Sequence, residues 1–415
     1  MRTARPNSPR PIRCCAAAPF WAAALLVMVL LASALASTAQ AVAAVDAPAV
    51  KTLRVPDRGI FPQAAIDSRG RLHLMYVKGD PMAADAYYVR SDDGGATFTK
   101  PIRVNSGPES VIVTGTVRGP HLSVGRGDRI HVAWMGSSKA EPKSGKLAPM
   151  LYTRLNDAGD AFEPQRNVGA GHPGLDGGGS VAADADGNVY VAWHAPAHPG
   201  KSEGEEGRQV WISRSQDDGK TFAPETAANP QPNGVCACCG MRIYCGDKGR
   251  VLILYRSASQ AIHRDIQMLV SDDHGKSFQV AVADPWQVAT CVMSTAACTS
   301  VAADGGRSLA AAWETTGQIR VALLTAGATK PTVMMSVPGD GKSRKHPSVA
   351  ANSRGQILVA WAEGTGWNKG GTLAWQLFDA AGKPIAGESG QAPGIPVWSV
   401  PSAVALPDGS FRVIY

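Results

Sequence analysis

The sequence predicts an all-β fold, a closed β-propeller of four-stranded blades. Two repeats and a shortage of helical pattern carry that prediction. One phrase runs from a small or Pro-led apolar stretch, through a Gly turn, to an apolar stretch ending in Trp or Tyr, as in PSVAANSRGQILVAW. It occurs seven times, closing at Tyr76, Trp134, Trp193, Tyr255, Trp313, Trp361 and Tyr415, at intervals of roughly 50 to 60 residues. Paired short strands at that period suit the inner half of a propeller blade and are too widely spaced for a solenoid coil. Between the phrases lies a second repeat, S-x-D-x-G-x-[ST]-F, at 91–98, 215–222 and 271–278, with a decayed copy at 155–162. Its chemistry is that of a turn: Asp accepts from nearby amides, Gly takes positive φ, and the ring tucks beneath the hairpin. Helix-period patterns are nearly absent beyond the N-terminus, while 45 Gly and 29 Pro supply turns.

The chain opens on a targeting segment. Arg2, Arg5, Arg10 and Arg13 form a basic region without acids, an apolar run spans 16–36, and small-residue cleavage patterns stand at 34–36 and 41–43. A signal peptide over 1–43 is expected, followed by one domain over 44–415 and export to the periplasm or beyond. Membrane contact is expected only through an uncleaved leader. Without the four leader arginines the formal charge falls from +7 to +3, and no basic stripe with interleaved aromatics remains. Nucleic acid is therefore not an expected partner.

The seven phrases supply seven inner strand pairs in order. The chain stops after the last, so that blade lacks its outer strands, and residues 50–55 are expected to add one and close the ring. The S-x-D-x-G-x-[ST]-F element is similar to the Asp box, or bacterial neuraminidase repeat, and from about residue 50 the chain resembles a sialidase-superfamily propeller. Six blades, usual in that superfamily, is the alternative count. A narrower resemblance, to exported bacterial propellers labelled sialidase-like, rests on Cys236-Ala237-Cys238-Cys239, Tyr255-Arg256, Arg264-Asp265-Ile266, Trp286 and Cys291, with Val292 where that group has Pro.

For hydrolysis, the resemblance implies three arginines around a carboxylate, a Tyr–Glu nucleophile pair and an Asp acid/base. Asp80 and Asp85 follow the first phrase at the acid/base place. Arg256, directly after the fourth phrase, matches a carboxylate-gripping arginine, with Arg264 and Asp265 beside it as ligand-binding candidates. The first arginine is missing before Pro62, Cys239-Gly240 stands where the Glu is expected, and Trp398-Ser399 stands near the tyrosine's place. Glu314 and Glu363, just beyond inner strand pairs, read as solvated loop acids.

Six cysteines remain after the leader: Cys236, Cys238, Cys239 and Cys245, then Cys291 and Cys298. In an exported chain an even count favours disulfides, here clipping the fourth blade to the fifth. Cys245 with Cys298, and Cys238 or Cys239 with Cys291, are the pairings within reach. The alternative is a soft-metal or thiol-redox site at Cys236, Cys238, Cys239 and Cys291, taking Cu or Zn. With disulfides no cofactor is expected. The leading functional expectation is recognition of an anionic or glycan ligand at the propeller's central mouth. The alternative enzyme is a glycoside hydrolase of exo-α-sialidase type.

Overall fold

The computed structural model describes residues 50–415, except 202, 304 and 305 and the side chains of 303, 306 and 307. The expected leader, 1–43, lies outside the described residues. The rest is a seven-bladed β-propeller, almost without helix. Blade 1 is Ile60–Ile66, Leu72–Asp80, Ala83–Ser91 and Ile102–Arg103, and blade 2 is His121–Val124, Ile130–Met135, Met150–Arg154 and Arg166–Asn167. Blade 3 follows with Ser180–Ala183, Val189–Pro196, Arg208–Ser215 and Thr226–Ala227, and blade 4 with Arg242–Cys245, Val251–Arg256, Ile266–Ser271 and Gln279–Asp284. Blade 5 is Ala297–Ala303, Gly306–Thr315, Gln318–Leu324 and Val333–Ser336, and blade 6 is Arg344–Ala351, Ile357–Glu363, Gly371–Phe378 and Pro384–Ile395. Blade 7 has Ser402–Ala405 and Phe411–Ile414, joined by Val50–Leu53.

That last strand pairs in parallel with Phe411–Ile414, so the expected closure by residues 50–55 holds. Each first strand touches the first strand of the next blade, and that of blade 7 touches that of blade 1. The count is therefore seven, and the six-blade alternative is set aside.

The closing aromatics explain the phrase. All seven are buried, and most tie their polar tips to crossover loops or strand ends. Trp134 Nε1 donates to Ser110 O at 3.2 Å, Trp193 Nε1 to His172 O at 3.0 Å, and Trp313 Nε1 to Asp284 Oδ2 at 2.8 Å. Apolar side chains alternate along the strands and fill each gap between blades, giving one hydrophobic cluster per interface. The three S-x-D-x-G-x-[ST]-F turns share one geometry. Ser91 Oγ donates to Asp93 Oδ1 at 2.7 Å, while Thr97 N and Oγ1 donate to the two Asp93 oxygens at 2.9 and 2.6 Å. Asp217 and Asp273 repeat this arrangement, and Gly95, Gly219 and Gly275 take the positive φ it requires. In the decayed copy, Asp157 instead pairs with Arg129 at 2.5 Å.

Candidate functional site

Antiparallel pairing sorts the connections onto two faces. First-to-second and third-to-fourth strand turns share one face, whereas second-to-third hairpins and blade-to-blade crossovers share the other, the crossover face. On the turn face, clefts of about 460 and 510 Å³ separate neighbouring hairpins, and turn aspartates such as Asp217 are already bonded within their own loops.

At the axis, strand register brings together one residue from each blade: Gln63, His121, Ser180, Arg242, Ala297, Ser348 and Ser402. Each lies opposite the residue that precedes its blade's closing aromatic. Serines in this ring stitch blades together. Ser402 Oγ accepts from Ala64 N at 2.9 Å, Ser348 Oγ from Ala403 N at 2.9 Å, and Ser180 Oγ from Ile243 N at 3.2 Å. Arg242 reaches Gln63 Oε1 and His121 Nδ1, both at 3.3 Å. Burial lowers its pKa, and among the described residues no carboxylate lines the space around it. Only about 40 Å³ remains free there, room for little more than a water molecule.

The sequence candidates fall outside this ring. Asp80 Oδ1 caps the amide of Met82 at 3.0 Å in a hairpin turn. Asp85 Oδ1 accepts from Asn105 Nδ2 and Glu109 N, each at 2.7 Å, and so holds the loop after blade 1. Arg256 is 3% exposed. Its Nη1 donates to Arg264 O at 2.6 Å, its Nη2 donates to Glu314 O, and its guanidinium lies 5.1 Å from the Trp286 ring centre. Asp265 Oδ1 accepts from Trp286 N at 2.8 Å, and Arg264 Nη2 pairs with Glu205 at 2.6 Å. These side chains are thus bound to the protein itself. Glu314 is buried rather than solvated, with Oε1 on Gly317 N at 2.7 Å and Oε2 without a hydrogen bond, 3.9 Å from Arg256 Nη2. Burial raises its pKa against the pull of that amide and of Arg256. Glu363 is likewise engaged, accepting from Arg344 Nε and Trp361 Nε1, both at 2.9 Å.

The crossovers into blades 4 and 5 carry the cysteines. Cys238 and Cys291 form a disulfide linking these two crossovers, while Cys236, Cys239, Cys245 and Cys298 are thiols. The expected clip is therefore a single bridge, and Cys245 and Cys298 stand unbonded on adjacent inner strands. A disulfide fits an oxidising compartment. Cys236 shares its proton with Cys239 at 2.9 Å. Burial pushes the Cys239 thiol up, but that hydrogen bond and Arg256 outweigh it and lower it, while Cys236 is driven upward.

Beside the disulfide opens a cleft of about 360 Å³, walled by Trp286, Cys291, Glu314, Gln318, Lys342 and Lys345 among others. Lys345 Nζ rests on Val292 O at 2.5 Å.

No protein-family profile and no curated protein matches the sequence. Solved structures do match. The Hadza microbial sialidase Hz136 superposes with a TM-score of 0.50 at 14% identity, over 74% of this chain and 64% of that one. The NanB sialidase of Streptococcus pneumoniae gives 0.50 at 10% identity, over 76% and 67%, and Trypanosoma rangeli sialidase gives 0.50 at 13%, over 80% and 55%. The fold is that of a sialidase-like propeller. The chain spans less than two thirds of the length of the first and third of these enzymes, and at such identities the likeness is one of fold. Among the described residues no helix is long and apolar enough to cross a membrane.

Sequence reading missed Arg242, Glu205, Lys342 and Lys345. Arg242 was legible in principle, as the one charged residue at the first ring-facing position of any phrase. Glu205 sits in Glu203-Gly204-Glu205-Glu206-Gly207, which reads as a solvated loop.

Proposed function

We propose that the protein is an exported sialidase-like propeller that binds an anionic or glycan ligand on its crossover face without hydrolysing it. The axial space is too small for a sugar, so the cleft of about 360 Å³ is the better seat. Trp286 offers a flat apolar wall, Lys342 and Lys345 offer cations, and Ser343 offers a hydrogen bond. The observation that carries this reading is the charge of the wall: two lysines face one acid, Glu314, whose raised pKa favours its neutral form. Glycoside hydrolysis by the usual routes needs two carboxyls, or a Tyr–Glu pair with an Asp. Among the described residues, the cleft lining supplies one Glu and no Tyr or Asp.

The test is calorimetric titration with sialic acid, a uronic-acid oligosaccharide and a neutral oligosaccharide. An acidic ligand should bind and the neutral one should not, with Lys345→Ala weakening binding about tenfold, as expected for one charge-assisted contact. Binding unaffected by Lys345→Ala and Trp286→Ala would refute the seat. Release of a chromogenic aglycone from a sialoside, lost in Glu314→Gln, would instead establish the hydrolase.

A further inference from the structure

The cysteine sulfurs converge more closely than a structural clip requires. Sγ atoms of Cys236, Cys238 and Cys239 all lie within 4.8 Å of one another, and Cys291, bonded to Cys238, brings a fourth. Cys236 Sγ stands 2.9 Å from Cys239 Sγ and 3.5 Å from Cys238 Sγ. Val288, Val292 and Trp286 pack around them, so the group is dry on the inner side. Protonated thiols in such a pocket need no guanidinium, yet two arginines flank them, Arg256 toward Cys239 and Arg264 toward both Cys236 and Cys239. Arg264 is 6% exposed, and its Nε and Nη1 are buried without acceptors. Unpaired buried donors are costly, and native structures rarely keep them without a reason. Thiolates at Cys236 and Cys239 would supply the missing acceptors.

We propose that, once the Cys238–Cys291 bond is reduced, Cys236, Cys238, Cys239 and Cys291 bind one soft d¹⁰ cation, Cu(I) or Zn(II). The disulfide is then a redox gate on a thiolate metal site. Thiolate sulfur selects these ions; three thiolates suit Cu(I) and four suit Zn(II). Either set carries more negative charge than the ion cancels, and Arg256 and Arg264 stabilise the remainder. Cys291 is exposed whereas Cys236 and Cys239 are buried, so opening starts at Cys291. A thiolate of an external dithiol attacks Cys291 Sγ, forming a mixed disulfide and releasing Cys238 as thiolate. The second thiol of the reductant then attacks its own bound sulfur, frees Cys291 and leaves the reductant as a disulfide, which accounts for both electrons. Metal binding releases the remaining thiol protons to solvent.

The experiment titrates the purified protein with Cu(I) and, separately, Zn(II), before and after reduction by a phosphine that adds no thiol of its own. Native mass and the ultraviolet thiolate-to-copper band report binding, and alkylation reports which cysteines are shielded. One ion per chain should bind, only after reduction, with at least three of the four cysteines protected by Cu(I) and all four by Zn(II). Cys291→Ser leaves Cys238 without a partner and should take Cu(I) without reductant, while Cys245→Ser should behave as wild type. Zn(II) binding that is lost in Cys291→Ser would assign the four-thiolate form. Retention of neither ion, equal binding before and after reduction, or undiminished binding in a folded Cys236→Ser variant would overturn the proposal. None of these readouts depends on the ligand cleft.

Discussion

Arg256 shows how a residue's partners can lie beyond the reach of its sequence neighbours. Its guanidinium serves two carbonyls, from residues 8 and 58 positions away, and lies over Trp286. Arg256→Ala should therefore destabilise the ligand-free protein by about 3–5 kcal/mol, because buried acceptors lose their donor. Arg256→Lys should restore little of this, since an ammonium cannot span both carbonyls; thermal unfolding without ligand checks both. If stability holds and only ligand binding falls, Arg256 is a ligand residue after all. Glu314 gives a second expectation. Its pKa is raised in the fold, chiefly by burial, so the folded state holds a proton that the unfolded state has released. Its contribution is then full below the unfolded value of about 4.5 and is lost as pH rises through the folded one. Glu314→Gln should match wild type at pH 4 and exceed it at pH 8 in urea unfolding. Neither environment was legible locally, because the groups that define it come from different blades.

The turn repeat was the most legible element, since its bonds join residues only two to four positions apart. Thr97 and Ser91 hold the Asp93 carboxyl at about 2, and Asp217 reaches about 2 through Thr221 and Ser215 despite partial burial. Asp273 is lowered by equivalent bonds against the same opposition. A depressed acid contributes stability above its unfolded value of about 3.8 and loses it as pH falls toward about 2. Stability should drop across that window, and Asp217→Asn should flatten the drop in a series of thermal melts at constant ionic strength. An unchanged slope would mean that these turns do not couple to global unfolding. Away from acid, Asp93→Ala should lower the melting temperature, through loss of the backbone bond at Thr97. The cysteine crossovers were less legible. The sequence places both groups at neighbouring blades, but which sulfurs meet depends on the path of two irregular loops.

Blade number followed from counting phrases because every phrase carries one inner pair, and the last blade's missing strand was supplied by the segment at 50–55. What the count could not convey is how narrow the axis becomes. That depends on side-chain volumes at seven ring positions, one of them Arg242. Closure itself is testable. Leu53 O accepts from Tyr415 N at 3.0 Å, Arg54 stacks 3.9 Å from the Tyr415 ring centre, and Val55 is buried. Deleting 50–55 should cost on the order of 5 kcal/mol of buried side chain and pairing. It should also bare the edge of Phe411–Ile414 and promote association, visible as a lower melting temperature and a larger species on sizing chromatography. The same strand bears on mechanics. Val50 pairs with Phe411 and Leu53 with Ile414, so tension applied outward at residue 50 and at Tyr415 drags the two strands past each other along their length. Their hydrogen bonds must then fail together rather than peel one at a time, and the seam of the ring becomes its tensile clamp.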